Sequence, residues 1–512
     1  MSLTGGKLLA GVLAMRRVFA RQPFAGAKNV GVLLPPTVAA SVANAALLVR
    51  GQVAVNLNYT LSPEDMNFCV RKAGLTHVLT SRKFLEKKPY EVDAEFVFLE
   101  DLKEQVTGLD KAAAALGAFV TPAAVLCRQL GLHKRSSEEV ATIVFTSGST
   151  GQPKGVCLSY GNVASQMLAI DQLFHLTPDD CVLGVLPLFH SYGYSDAFWM
   201  PLCSPPAVVF HTNPLDAKTV GSLCEEHGVT IMFATPTFLR SYMRRCTPEQ
   251  LKRLDLVVVG AEKSPPELFE QFREKFGVTP TEGYGATELS PFTAVNVPDH
   301  RSVGIHQQGT KPGSVGRVMP GSTAKTVDPD TGAETPVGEE GLLLIKGPNV
   351  MLGYLDEPEK TAEVVKDGWY DTGDLAVIDA DGFITITGRR SRFSKIGGEM
   401  VPHIRVEQAL ERSVVRLLGD AAPADLDTAA EVDQAVAVTS VPDERKGERL
   451  VVLHRPLPVT PDQILGGLNG EGLPNLWLPS TESFYEVPEI PMLGSGKLDL
   501  KRLKELAAEL AA

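Results

Sequence analysis

Short, wholly apolar runs alternate with amphipathic stretches along this chain, and the first group sets the pattern. Residues 29–34 read as a buried strand, 37–48 as a helix and 53–57 as a second strand, a βαβ unit that implies a parallel sheet. Ahead of it, Leu8, Val12, Met15 and Phe19 fall at helical spacing, which predicts a helix packed on the domain that follows. Apolar runs at 141–145, 182–186, 207–210, 231–234 and 256–259 each lead into a polar or Gly/Pro turn, with a helix predicted over 162–174 after Gly161. In open α/β sheets, ligands sit beyond the carboxyl ends of such strands.

From about Gly313 the texture changes to Gly, Pro and Asp between short alternating runs at 341–346 and 383–387, which predict a small antiparallel barrel or sheet. Past Arg389 come a basic, hinge-like stretch, a helix over 406–418 and a hairpin of 435–440 with 449–454, while 421–430 reads as a loop. The expected class is α/β. Residues 1–390 would form a large domain of parallel or mixed α/β sheets plus the small barrel, and 391–512 a small α+β carboxyl-terminal domain.

A chain of 512 residues with 44% hydrophobic content can bury more than one core. Its net charge of −12 argues against a nucleic-acid partner. The amino-terminal stretch departs from that balance: it has no acid before Glu64 but carries Lys7, Arg16, Arg17, Arg21, Lys28 and Arg50. A packed helix is the preferred reading over a targeting peptide, and peripheral contact with the inner face of a membrane stays open. Seven cysteines (69, 127, 157, 181, 203, 224 and 246) form no Cys-x-x-Cys pair, so neither a disulfide framework nor a zinc site is indicated, and a reducing cytoplasm fits. No apolar run approaches the ~20 residues that span a bilayer.

The stretch Thr146-Ser147-Gly148-Ser149-Thr150-Gly151-Gln-Pro-Lys154-Gly155 carries the strongest chemical signal. Glycines let backbone amides approach an anion, four hydroxyls can donate to it, and Lys154 adds a compact positive charge. It is not the P-loop of nucleotide hydrolases, which needs Ser or Thr directly after Gly-Lys, because Gly155-Val-Cys-Leu follows and reads as a strand. Downstream lie Glu282-Gly283-Tyr284-Gly285-Ala-Thr287-Glu288, Tyr370-Asp-Thr-Gly-Asp374, Gly388-Arg389, Lys395-Ile-Gly-Gly398 and Gly494-Ser-Gly-Lys497. Each alone also reads as a turn, but the ordered set does not arise by accident.

This set resembles the acyl-adenylate-forming superfamily of acyl-CoA synthetases, peptide-synthetase adenylation domains and firefly luciferase. The resemblance implies ATP and Mg2+ as cofactors and a small domain that is mobile over the large one. It implies that Lys154 and the 146–151 loop hold the β- and γ-phosphates, and that Glu288 holds magnesium with Thr150 as helper. Tyr284 would stack on adenine within the Gly283–Gly285 strand, with Gly260, Ala261 and Glu262 lining the other face. Thr287 would sit near the α-phosphate, Asp374 and Arg389 would hold the ribose, and Lys497 would reach the acyl carboxylate and α-phosphate. Lys395 and Gly398 match the segment that admits pantetheine after the small domain rotates. Two positions depart from the pattern: Ser391 stands at the hinge, where Asp or Lys is usual, and Ile404 where glutamate is common.

His190 matches a position that gates the acyl pocket in relatives, and the pocket would be lined by Phe189, His190, Tyr192, Phe233, Ala234, Phe238 and residues 283–285. Segments outside the shared motifs, such as 29–62, 77–87, 389–401 and 491–503, resemble the synthetase half of the bifunctional 2-acylglycerophosphoethanolamine acyltransferase/acyl-acyl carrier protein synthetase. That resemblance implies a long-chain fatty acid, ATP and the thiol of acyl carrier protein as substrates. The acyltransferase signature His-x-x-x-x-Asp is absent near the amino terminus, and the expectation is that the chain starts later than a complete adenylating domain does. The expectation is a stand-alone synthetase or one working beside a separate acyltransferase. Two alternatives stand: an acyl-CoA ligase using CoA as acceptor, and a non-catalytic lipid-binding relative. Intact Lys154, Glu288, Asp374, Arg389 and Lys497 argue against the second.

Overall fold

The computed structural model describes residues 2–146, 152–261, 266–301, 308–396, 399–419, 435–443, 445–468, 473–492 and 498–511. The amino-terminal helix forms as its spacing predicts: α1 (Gly5–Phe19) is capped by Thr4 and buries Val12, Leu13, Val18 and Phe19. The βαβ unit follows as β1 (Asn29–Val32), α2 (Val38–Arg50) and β2 (Val53–Asn56), with β1 and β2 parallel. Thr37 caps α2 by accepting from the Ala40 amide, and Gly51 ends it at a φ of 79°, a left-handed conformation that suits glycine. Strands β3 (His77–Thr80) and β4 (Glu95–Phe98) extend the sheet on one side. Helices α3 (Gly108–Phe119) and α4 (Ala123–Gln129) follow, and α3 packs on α1. On the other side, β5 (Val140–Thr146) and β6 (Lys154–Ser159) form an antiparallel hairpin.

Helix α5 (Tyr160–Phe174) starts two residues before the predicted position. Ser159 and Asn162 form a reciprocal cap, each side chain accepting from the other's amide at 3.0 and 2.8 Å, so Gly161 lies inside the first turn. A second sheet runs in the order β8-β7-β9-β10-β11-β12-β13, from β7 (Cys181–Gly184), β8 (Ala207–Phe210), β9 (Ile231–Ala234), β10 (Leu256–Val259), β11 (Thr281–Gly285), β12 (Phe292–Val295) and β13 (Arg317–Val318). Strand β7 ends before Leu186, where 182–186 was expected. Four-residue strands buried throughout, such as β9 and β10, place this sheet between two apolar layers.

The short helix α6 (Ser191–Tyr194) and a π-turn over Ser195–Trp199 lie between the two cores. The Tyr194 hydroxyl donates to Asn44, and Asn44 and Asn56 exchange hydrogen bonds at 3.1 and 2.9 Å, so a satisfied buried network ties this helix to α2 and β2. A second network closes the amino-terminal edge of the second sheet. Arg301 grips Asp180 through both terminal nitrogens at 3.0 and 2.8 Å and also pairs with Asp255, while Asp180 accepts from Thr230 at 2.7 Å. These three partners immediately precede β7, β10 and β9.

The region beyond Gly313 is an antiparallel sheet of β14 (Thr323–Val327), β15 (Glu340–Lys346), β17 (Val365–Lys366), β18 (Trp369–Ile378) and β19 (Ile384–Arg389). The two-residue strand β16 (Gly353–Tyr354) leaves it to pair with β6 at the edge of the first sheet. Next come the ribbon β20 (Phe393–Ile396) and β21 (Glu399–Pro402), helix α7 (His403–Gly419), and a sheet of β22 (Val436–Asp443), β23 (Gly447–His454) and β24 (Phe484–Glu486) covered by α8 (Leu500–Ala511). The predicted loop at 421–430 lies outside the described residues. Arg392, next to Ser391, pairs with the buried carboxylate of Glu407, which also accepts from the Val438 amide at 2.6 Å. No described helix is long and apolar enough to cross a membrane.

Candidate active site

The β5–β6 hairpin pairs Thr146 directly with Lys154, which fixes both ends of the phosphate-loop candidate. Ser147, Gly148, Ser149, Thr150 and Gly151 lie outside the described residues, as do Glu262, Gly398 and Lys497, and the side chain of Lys395 is not described. Lys154 Nζ stands 5.0 Å from the centre of the Tyr354 ring. That tyrosine sits on β16 opposite Val156, and its hydroxyl donates to Glu288 Oε1 at 2.9 Å. Lys154, Tyr354 and Glu288 therefore form a row, cation over ring and hydroxyl to carboxylate. Burial first, then the Glu288 carboxylate, pushes the Tyr354 hydroxyl pKa far up, so it stays a donor.

A second group gathers Tyr284, Asp374 and Arg389. Asp374 on β18 and Arg389 on β19 are directly opposite in register, with Arg389 Nε 3.5 Å from Asp374 Oδ1. The Tyr284 hydroxyl donates to Asp374 Oδ2 across 90 residues of sequence. Between the two groups lies the buried Tyr370, whose hydroxyl pKa is raised by burial and then by Glu288, Tyr354, Tyr284 and Asp374. The proton donors and carboxylates of both groups thus share one electrostatic environment.

Close backbone approach shapes the remaining edge. A Cβ at Gly285 would meet the Pro291 carbonyl at 1.9 Å, and one at Gly260 would lie 3.2 Å from the Gly283 carbonyl. Ala261 takes a φ of 71°, in the left-handed region where a side chain costs energy. Thr287 and Ser191 place their hydroxyls 3.0 Å apart, both buried. His190 Nδ1 accepts from the Tyr192 amide at 3.2 Å, which leaves Nε2 as the N–H of the neutral ring.

Tyr192 is buried, donates to the Val258 carbonyl at 3.0 Å, and meets Phe233 and Phe292 edge-on at 5.9 and 5.3 Å. Behind these rings, Ile170, Phe174, Phe233, Val258, Phe292, Val295 and Met319 enclose an apolar space of about 10 Å³. An acyl chain entering here must displace side chains. Asp196 on the π-turn is fully buried, and neither carboxylate oxygen has a hydrogen-bond partner. Burial pushes its pKa well above the usual carboxylate range.

Most of the predicted site residues within the described parts are brought together. Tyr354, Tyr370 and Ser191 were not among them. Tyr370 opens the recognised Tyr-Asp-Thr-Gly-Asp run and Ser191 follows His190, so proximity to a motif was their signal. Tyr354 sits on a two-residue strand, too short for any periodicity.

The model of the family described as AMP-binding enzyme matches residues 2–355. A feruloyl-CoA synthase from Amycolatopsis sp is 30% identical over 373 residues, covering 70% of this chain and 68% of the relative. A long-chain-fatty-acid–CoA ligase from Salmonella typhimurium is 26% identical over 511 residues, covering 94% and 85%. Among solved structures, o-succinylbenzoate coenzyme A synthetase from Bacillus subtilis in complex with ATP and magnesium ion superposes with a TM-score of 0.76 at 25% identity, covering 97% of this chain and 93% of that one.

Proposed function

From the AMP-binding enzyme family, to which this chain belongs, we propose a specific member reaction: activation of a long-chain fatty acid as acyl-AMP and its transfer to the pantetheine thiol of acyl carrier protein. The chain is an AMP-forming acid–thiol ligase that uses ATP and Mg2+. In the first step the carboxylate attacks the α-phosphorus and the bond to pyrophosphate breaks. In the second, the thiol attacks the acyl carbonyl and AMP leaves.

The observation that carries the reading is the row of Lys154, Tyr354 and Glu288 beside Tyr284, Asp374 and Arg389. Lys154 would meet the β- and γ-phosphates. Glu288 would hold magnesium, which shields triphosphate charge when bound. One carboxylate would be enough, because magnesium takes most of its ligands from phosphates and water; the described residues hold no group of three or more acidic, His or Cys side chains placed to hold a metal ion. Thr150 would assist it. Asp374 and Arg389 would take the ribose hydroxyls, Thr287 the α-phosphate region, and His190 and Tyr192 the mouth of the acyl pocket. Residues 391–512 would act as a small domain that closes over 1–390, bringing Lys497 to the reacting carboxylate and later Lys395 to the thiol.

The sequence segments that resemble the acyl carrier protein synthetase support the carrier protein as acceptor. The second reading, CoA as acceptor, is favoured by the names of the relatives above, which are CoA synthases and ligases. Both thiols end in the same pantetheine, so an assay decides. Fatty-acid-dependent ATP–pyrophosphate exchange across a chain-length series, followed by turnover with CoA or acyl carrier protein, separates them. Product on the carrier protein alone supports the first reading. Product on CoA alone replaces it, and no exchange with any acid refutes both.

A further inference from the structure

Helix α3 is apolar around nearly its whole circumference, yet packs along one face only. The buried face carries Asp110, Ala114 and Gly117. It lies on α1 closely enough that a Cβ at Gly117 would meet Leu13 at 2.9 Å, and Gly6 leaves room for the Phe119 ring. The outer stripe faces solvent: Leu109 is 70% exposed, Leu116 58%, Phe119 61% and Val120 69%, and Val125 on α4 adds 43%. On a helix these α3 positions, with Val120 just past its end, fall within about 100° of one another, so the apolar side chains form one continuous surface. A large exposed apolar patch marks a binding surface, because leaving it in water costs free energy in proportion to its area.

Charge identifies the occupant. The chain carries a net charge of −12, but between Gln105 and Ser137 the single acid is Asp110, against Lys111, Arg128, Lys134 and Arg135. Asp110 is buried and held by Arg17 and Arg21 of α1, so it offers no negative charge to an approaching surface. Lys7, Lys111, Arg128 and Lys134 are exposed. An apolar stripe on a segment whose exposed charges are all cations matches the boundary of an anionic bilayer, where the stripe enters the acyl region and the basic side chains meet phosphate headgroups. We propose that α3 and α4, with the start of α1, form a docking face for an anionic membrane. This surface does not depend on which acid or thiol the enzyme uses.

Co-sedimentation of the full chain with vesicles of phosphatidylcholine, or of phosphatidylcholine with one third phosphatidylglycerol, tests this face. Wild type is expected to pellet with the mixed vesicles and far less with the neutral ones, and added salt should release it. Leu116→Ser with Phe119→Ser should lower partitioning about tenfold or more, while Lys7→Glu with Lys111→Glu should weaken binding to the anionic vesicles alone. All four side chains are solvent-exposed, so circular dichroism and pyrophosphate exchange with a water-soluble short acid should not change. The proposal fails if wild type binds neither vesicle, or if the serine variant binds as wild type does. It also fails if wild type self-associates without lipid and the serine variant is monomeric, because the patch then serves a second copy of the chain.

Discussion

Tyr354 shows how much one side chain can hold in place. Its ring lies under Lys154 and its hydroxyl serves Glu288, so Tyr354→Phe should keep the cation–ring contact and lose the hydrogen bond. A hydrogen bond to a charged group is worth about 1.5–3 kcal/mol, and pyrophosphate exchange should fall by one to two orders of magnitude with the fold intact. Unchanged exchange in that variant would remove Tyr354 from the positioning of Glu288. Asp196 makes the opposite case, a polar group that costs stability. Its native carboxyl keeps its proton to higher pH than in the unfolded chain, where it titrates near 3.9. Its contribution is therefore fully present below about pH 4 and is lost as pH rises towards the native value. Asp196→Asn should be more stable than wild type at pH 8, by about 1–3 kcal/mol, with the gap closing toward pH 4. Denaturant unfolding across that range measures it, and a gap that widens on acidification would refute the account.

At the scale of elements, the second sheet is held from opposite ends by different chemistry. Its carboxyl edge carries close backbone approaches at Gly260 and Gly285, while its amino edge carries the Arg301 clamp. Asp180 is held down to a pKa of about 2 by Arg301, Thr230 and the Thr177 amide, against the opposing effect of burial, which is the largest single influence. A depressed carboxylate stabilises the native state above its unfolded pKa near 3.9 and loses that contribution as pH falls toward 2. Asp180→Asn would leave a buried guanidinium short of its partner, at a cost of about 3–5 kcal/mol. Thermal unfolding at neutral pH should reveal that loss, and the variant should show less acid sensitivity than wild type between pH 4 and 2. The strands themselves were legible, because runs such as 231–234 and 256–259 are apolar at every position. The start of α5 was not, because a cap of Ser159 with Asn162 outweighs the helix-breaking tendency of Gly161.

For the whole molecule, the proposed reaction needs two poses of residues 391–512 against the rest, one for each half-reaction. Lys497→Ala should abolish adenylation and still pass a supplied acyl-adenylate to the thiol, whereas Lys395→Ala should impair thioester formation alone. Separate assays of the two half-reactions test this, and equal loss of both in each variant would overturn the division. Arg392 with Glu407 and the Val438 amide gives this region a buried ion pair beside Ser391 and one turn from Ile404, the two positions expected from the resemblance to be atypical. By itself the sequence determined the order of the motifs and the apolar strands that lead into them, because these are local patterns of composition and spacing. Only the tertiary structure decided that Tyr284 meets Asp374 across 90 residues and that Tyr354 meets Glu288 across 66. It also decided that Asp196 is buried without a partner and that one face of α3 is left uncovered. Strand register and helix packing set those distances, and neither is written in the neighbourhood of any single residue.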